Sequence, residues 1–440
     1  MSFSPMDTAN QTTSKKRVAI VYGLRTPFIK SGTLFKNLTS LDLGKIATVE
    51  LLNRTEIDLN DINKVIFGTV LPSIKTSNLA REISLGSGVP ASVPAFTVTS
   101  ACASATQAFT SGVESILSDD TEVVLVGGVE SISDFPVLFS KSFRNMLFDS
   151  SKGKNILQKA KPFLKIGVSD ITPDVPSIAE RSTGLTMGES AEKMARQNHI
   201  SRKDQDYFAL RSHNLASKAQ KEEIFRREMV KTFIPPEFDE PVIMDNSIRN
   251  DLDIETLTNL KPAFDTEYGT VTSGNSAPLS DGACVLLLMS EEKAKALGYK
   301  PLGYVRSYAY TAVDPRDQLL MGPAYSTPIA LDRAGLTLKD MELLEIHESF
   351  SSQVLSNLRA FASGKFAEEK LSRTKALGEI EMDKVNVTGG SLAIGHPFGA
   401  TGGRLILTLL YALQRRQAQF GLATICAAGG LGASIVLERQ

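Results

Sequence analysis

Four residues have the types and settings that chemistry needs: Cys102, His347, His396 and Cys426. Cys102 is one of three cysteines in 440 residues and lies in TVTSACASATQAF, where a strand-like run gives way to small residues that read as a helix. A helix N-terminus offers free N–H groups and the positive end of the helix dipole, so a cysteine there is expected as a thiolate nucleophile. A free cysteine is more often a small core residue, but that role suits Cys284, inside the apolar run ACVLLLM. His396 lies in NVTGGSLAIGHPFGATGGRLILTLL, where glycines recurring from 389 to 403 imply tight turns or close approach of backbone to a ligand. A histidine in such a loop reads as a base or an oxyanion donor. His347 ends the apolar run of MELLEIHESF, and Cys426 ends GLATIC and opens the turn AAGGLG, where thiol and backbone N–H groups can face one cavity. His199 and His213 fall on a helical stretch and read as solvated or capping residues.

Strand-like runs alternate with helix-length amphipathic stretches, which argues for α/β layers. RVAIVYG, KVIFGTV and EVVLVGG read as strands; LDLGKIATVELLNRT and ASATQAFTSGVESILS read as helices. The chain also repeats itself. Residues 52–68 align without gaps to 331–347, with Leu52, Arg54, Leu59 and Asp61 on Leu331, Arg333, Leu338 and Asp340. FTVTSACAS pairs with VNVTGGSLA, and DGACVLLL with LGASIVLE, in the same order. Three matches in one order indicate a duplicated α/β unit, about 20–290 and 300–440. The four chemical residues then fall at strand ends, where such sheets commonly place ligands. Gly68 of the first copy is matched by His347 in the second, a polar group added at a strand end.

The formal net charge of −1 gives no electrostatic case for nucleic acid. Three cysteines without a CxxC pair argue against a disulfide scaffold and for a reducing compartment. Four scattered histidines give no zinc spacing, so no metal is expected. No GxGxxG, Walker or HExxH pattern occurs. The first sixteen residues lack the apolar core of a signal peptide and read as a frayed tail on a cytoplasmic protein.

The first copy carries an insertion over roughly 134–246. Its second half shows helical spacing in MGESAEKMARQNHISRKDQDYFALRSHNLASKAQKEE. Its first half is basic: Lys141, Arg144, Lys152, Lys154, Lys159, Lys161 and Lys165 stand against the single acid Asp149, interleaved with Phe139, Phe143, Met146, Leu147 and Phe148. That segment reads either as a solvated helical lid or as a docking surface for an acidic partner or lipid headgroups.

SACASA, GTVTSGNSAPLSDGA, HESF, GGSLAIGHPFGATGGR and CAAGGLG, in that order, resemble the signature blocks of the thiolase family. LRTPF, MGESAEKMA and SRKDQDYFALRSH match as well, so the resemblance spans about residues 17–440. It implies an α/β thiolase fold, a duplicated five-layered αβαβα core with a helix-rich loop domain. The division expected is 17–133 and 247–290 for the first half, 134–246 for the insertion and 291–440 for the second half. HESF, in place of the commoner NEAF, resembles the β subunits of fatty-acid β-oxidation complexes. That likeness implies 3-ketoacyl-CoA thiolysis, with CoA as substrate and no cofactor. It also implies a homodimer joined to a hydratase/dehydrogenase α subunit as an α2β2 heterotetramer; peripheral membrane contact through the basic segment 141–165 is an expectation from that segment's composition alone.

The resemblance assigns roles by position. Cys102 is the acyl-accepting nucleophile, and His396 deprotonates it. His396 also stabilises the enolate oxygen with a water positioned by His347. Cys426 is the acid/base for the departing carbanion and incoming CoA, and the N–H groups of Cys102 and Ala428 form the acyl-transfer oxyanion hole. Met187 is expected in the acyl pocket, Arg211 near the adenine nucleotide, and Asn275, Ser276 and Phe350 at the substrate. Departures from the family pattern are Ser349 for the usual alanine, Ala428 for the first glycine of CxGGG, and Ala277 for a CoA-contacting serine. A condensing ketosynthase and a non-enzymatic acyl-CoA scaffold are the competing readings. The first has no need of Cys426, and the second has no need of the intact set of four.

Overall fold

The structure is a computed structural model that describes residues 16–118, 121–172 and 179–440. The tail expected at the N-terminus lies, up to residue 15, outside the described residues. The first half contributes strands β1 (Val18–Arg25), β2 (Lys64–Gly68), β3 (Ala95–Val98), β4 (Val123–Glu130) and β5 (Ser280–Ser290), with helices α1 (Ser40–Thr55) and α2 (Ser104–Leu117). The second half contributes β6 (Gly303–Ala312), β7 (Leu343–Ile346), β8 (Phe420–Ala427) and β9 (Leu431–Arg439), with α3 (Gly322–Ala334) and α4 (Thr401–Arg416).

Pairing repeats between the halves. β1 and β5 are antiparallel, β5 and β4 antiparallel, β4 and β2 parallel, and β2 and β3 parallel. In the second half β6 and β9 are antiparallel, β9 and β8 antiparallel, and β8 and β7 parallel; Leu344 then bridges in parallel to Val385, where the first half has β3. The aligned segments 52–68 and 331–347 fold alike, each passing through a short 3-10 turn, Leu59–Asp61 and Leu338–Asp340, before its strand. The two halves' sheets join edge to edge at Ala19 opposite Tyr304 and Ile20 opposite Gly303, so their strands follow one continuous hydrogen-bonded path.

Packing sets five layers. α1 covers one face of the first sheet and α3 one face of the second, while α2 and α4 pack on each other between the sheets. α4 is buried on nearly every side: Leu405, Ile406, Leu407, Leu409, Leu410 and Leu413 are all within 1% of full burial. At about 1.5–3 kcal/mol per buried aliphatic side chain, this helix is a main apolar anchor of the core. It can approach α2 closely because residue 402 is glycine; a Cβ there would collide with Thr106. β4 and β5 are buried along their whole lengths, as central strands covered on both faces must be.

The chain between β4 and β5 holds the helices Met187–Gln197 and Arg202–Lys221, each started by a side-chain cap from Thr186 or Ser201. Buried ion pairs tie this region to β1. The Arg25 guanidinium donates to Glu228 at 2.7 Å and to Asp245 at 2.7 and 2.9 Å. The basic segment forms the helices Lys141–Ser151 and Ile156–Ala160, and several of its apolar side chains are exposed: Ile156 85%, Leu157 83% and Leu164 82%. Among the described residues no helix is long and apolar enough to cross a membrane.

Candidate active site

Cys102 sits on the turn between β3 and α2. Ala101, just before it, has φ of +46°, a conformation that costs an L-residue about 1 kcal/mol or more. Ser104 holds that turn: its Oγ accepts from the Ser100 N–H at 2.8 Å and donates to the Ala101 carbonyl at 2.7 Å. The helix start also packs against Gly68, where any Cβ would strike the Ser104 backbone. The first copy therefore needs glycine at the strand end where the second copy carries a catalytic-type side chain, His347.

His396 reaches Cys102 from a loop pinned to β5. Its backbone N–H donates to the Pro278 carbonyl at 3.1 Å and to Ser280 Oγ at 3.2 Å. Its Nε2 lies 3.3 Å from Cys102 Sγ and its Nδ1 lies 2.6 Å from Thr401 Oγ1. Thr401 has one hydroxyl proton, which it donates to the Pro397 carbonyl at 2.9 Å. Its oxygen must therefore accept from Nδ1–H, and that leaves the Nε2 lone pair facing the thiol. The sequence motif shows the histidine; the hydroxyl that sets its tautomer, five residues on, emerges only in the fold.

His347 follows β7 and extends the ladder, its N–H donating to the Thr424 carbonyl at 2.9 Å. The ring stands 4.2 Å from His396, centroid to centroid. Its Nδ1 is 3.0 Å from Ser391 Oγ and its Nε2 is 2.7 Å from Ser349 Oγ. Ser349 Oγ lies 3.7 Å from Cys426 Sγ, which links the second histidine to the second cysteine.

The electrostatics reverse one expectation. Burial pushes the Cys102 thiol up to about 12, against backbone N–H donors from Ala428 and from Cys102 itself. The helix N-terminus therefore does not leave a resting thiolate, because desolvation of the sulfur outweighs it. Burial and the Arg404 charge lower His396 to about 3, so it is a neutral base throughout the ordinary pH range. Burial, His396 and Arg404 hold His347 well below the usual histidine range. Burial and Cys102 raise Cys426 to about 12, opposed by the Ser349 hydrogen bond. Burial thus favours the neutral thiol and the neutral imidazole in the resting site.

Backbone N–H groups of Ala428 and of Cys102 itself donate toward the reactive sulfur. Cys102, His347 and His396 present ligand atoms within 4.8 Å of one another, a set that could also hold a soft cation. Each ring nitrogen already has a polar partner, an arrangement suited to proton transfer.

The remaining expected residues divide. Met187 and Phe350 pack in the apolar cluster that contains Cys426. Asn275 has its side chain fully engaged: Oδ1 accepts from Thr272 N–H at 2.8 Å, and Nδ2 donates to Asp206 at 3.0 Å and to the Thr270 carbonyl at 3.1 Å. Ser276 donates to the Thr272 carbonyl at 2.7 Å and pairs through its backbone with Phe350. Arg211 donates to the carbonyls of Met382 and Val385 and is not brought to the cysteine–histidine cluster. His213 is buried, with Nδ1 accepting from Arg249 N–H at 3.2 Å, and burial lowers it to about 4.

Supporting residues went unread in the sequence. Arg404 is fully buried, 3.0 Å from Glu345 and 2.9 Å from Ser391 Oγ. Glu348 accepts from Ser212, Asn386 and the Leu392 N–H, fixing the loop that carries Ser391. Glu130 accepts from the N–H groups of Val70, Leu71 and Gly399, each at 3.0 Å, and so joins the His396 loop to the end of β2. Their signal was a charge inside an apolar run: Arg404 in GGRLILTLL, Glu345 in LLEI and Glu130 closing VVLVGGVE.

Comparison with known proteins gives a consistent result. The family described as "Thiolase, N-terminal domain" matches residues 18–292, and "Thiolase, C-terminal domain" matches residues 299–439. A 3-ketoacyl-CoA thiolase of Pseudoalteromonas translucida (strain TAC 125) is 49% identical over 428 residues, covering 97% of this chain and 98% of its own. One from Shewanella sp. (strain ANA-3) is 48% identical over 435 residues, covering 98% of this chain and 100% of its own. Among solved structures, human mitochondrial 3-ketoacyl-CoA thiolase superposes with a TM-score of 0.82 at 30% identity, covering 97% of this chain and 99% of that one.

Proposed function

This chain belongs to the thiolase family, and on that premise we propose that it cleaves 3-ketoacyl-CoA with CoA to acetyl-CoA and an acyl-CoA two carbons shorter. The observation that carries the reading is the joined pair of dyads: Cys102 at 3.3 Å from His396, and Cys426 linked through Ser349 to His347.

In the proposed sequence the Cys102 proton passes to His396 Nε2, and the sulfur attacks the C3 ketone. The C2–C3 bond breaks, the acyl group stays on Cys102, and the electron pair enters the thioester enolate. His396, now protonated, faces that enolate oxygen and stabilises its charge. Cys426 S–H protonates C2 and releases acetyl-CoA. Its thiolate then takes the proton from incoming CoA, whose sulfur attacks the acyl-Cys102 thioester. The N–H groups of Cys102 and Ala428 accommodate the tetrahedral oxyanion. Cys102 leaves as thiolate and recovers its proton from His396, so all protons balance. CoA enters as substrate, and the scheme moves only protons and acyl groups, drawing on no cofactor or metal. The place of Cys426 in the cluster favours this reading over a ketosynthase.

The finer assignment follows the same premise: β-oxidation in the cytoplasm, by a homodimer joined to a hydratase/dehydrogenase α subunit as α2β2. We divide the chain as 17–133 with 247–290, 134–246, and 291–440. Met187 and Phe350 line the acyl site, and Asn275, Ser276 and Arg211 shape the CoA side by holding its loops. The exposed Lys141, Lys152, Lys154, Lys159 and Lys161, with the exposed apolar side chains among them, support a docking role for that segment. The test is CoA-dependent loss of 3-ketoacyl-CoA absorbance with stoichiometric acetyl-CoA. Activity that needs acyl carrier protein instead of CoA would reject the reading.

A further inference from the structure

Two histidines stand side by side, and the hydroxyls around them can be counted proton by proton. Ser391 is fully buried, and its Oγ has two polar neighbours, Arg404 Nη2 at 2.9 Å and His347 Nδ1 at 3.0 Å. Arginine only donates, so Ser391 Oγ accepts from Arg404. Its own proton then has one acceptor among the described contacts, the Nδ1 of His347. A buried hydroxyl without an acceptor would cost about 1–3 kcal/mol, so this assignment is strongly favoured. The His347 proton is thereby placed on Nε2, aimed at Ser349 Oγ at 2.7 Å. Ser349 accepts it, which leaves the Ser349 proton for its remaining neighbour, Cys426 Sγ at 3.7 Å.

We infer that Ser349 is a positioning residue for the acid/base cysteine, the last donor of a directed hydrogen-bond chain from Arg404 through Ser391 and His347 to Cys426. Every donor in the chain points toward that sulfur. The neighbouring histidine has the opposite polarity, since Thr401 takes its Nδ1 proton and leaves a lone pair at Cys102. One imidazole is set as a base for the nucleophile, and the other as a donor that stabilises the Cys426 thiolate formed after C2 is protonated. The inference rests on the thiolase reading and deepens it, for alanine is the usual residue at position 349 in that family and has no proton to give. The ionisable groups around Cys426 are Cys102 directly and His347 through Ser349, with His396 beside His347 and the Arg404–Glu345 pair behind it.

The experiment follows deuterium exchange into the methyl group of acetyl-CoA in D2O, a step in which Cys426 alone exchanges a proton with carbon. Ser349→Ala is expected to slow exchange about 10- to 100-fold and to move its alkaline limb upward by about one to two pH units, the scale of a hydrogen bond to a charged group. Ser349→Thr, which keeps the hydroxyl, should restore most of the rate. Alkylation of Cys102 by iodoacetamide, read as mass on its peptide, requires no proton at Cys426 and should keep its wild-type rate in Ser349→Ala. Wild-type exchange and an unmoved pH profile in Ser349→Ala would overturn the chain. So would slowed Cys102 alkylation together with a Thr variant as slow as the Ala variant, the pattern of a merely structural residue. Absence of exchange in the wild-type protein would instead overturn the thiolase reading, and the chain with it.

Discussion

Thr401→Val isolates the group that makes His396 a base. Valine has the same shape as threonine, so packing in the first turn of α4 is retained. The Pro397 carbonyl keeps its backbone donors, Ala400 N–H and Thr401 N–H, both at 3.0 Å. What is lost is the acceptor 2.6 Å from His396 Nδ1. Leaving that buried N–H unpaired costs about 1–3 kcal/mol, which the ring avoids by moving its proton to Nε2. The population with a lone pair facing Cys102 then falls by about 5- to 150-fold, and the acylation rate should fall with it. Rapid-quench mass analysis of acyl-Cys102 measures this step, and Thr401→Ser should recover most of the rate. Wild-type acylation in Thr401→Val, or a serine variant as slow as valine, would refute the assignment.

Cys426→Ala should still accept an acyl group on Cys102, yet turn over about 10²- to 10⁴-fold more slowly, the usual contribution of a general acid/base, checked by comparing acyl mass with steady-state thiolysis. Burial holds His213 and His396 at about 4 and about 3 against an unfolded 6.5, so the stability each contributes is present above pH 6.5 and lost as pH falls, while Glu130 and Glu345, raised to about 7 and about 8, act in the opposite sense. NMR titration of the folded protein should therefore show both histidines neutral at about pH 5, and a charged imidazole at either position there would contradict the buried neutral histidines. Reversing Lys152, Lys154, Lys159 and Lys161 to glutamate should weaken association with the α subunit or with anionic vesicles and spare thiolysis, as read by co-sedimentation and by activity.

The duplication was legible because each copy must bury the same strand order, so Leu59–Asp61 and Leu338–Asp340 kept both spacing and turn. Cys102, His347, His396 and Cys426 were legible because each interrupts the composition around it at a strand end. The charge state of Cys102 was not. The sequence shows the helix start that favours thiolate, while the competing desolvation arises from how α2 and α4 are sandwiched between two sheets. The residues that set the tautomers were hidden for a similar reason. Ser391 meets His347 from 44 positions away, and a serine in a glycine-rich loop carries no mark of its partner. Ser349 was visible as a departure from the family pattern, but its reach to Cys426, 77 positions on, depends on the parallel pairing of β7 with β8.

If Cys102 carries the acyl group and Cys426 the proton, incubating the protein with a 3-ketoacyl-CoA in the absence of free CoA and mapping the added mass should separate the two cysteines. An acyl group two carbons shorter than the substrate is expected on the Cys102 peptide, absent in Cys102→Ala and discharged by CoA. Acyl mass on the Cys426 peptide, or labelling that persists in Cys102→Ala, would contradict that assignment.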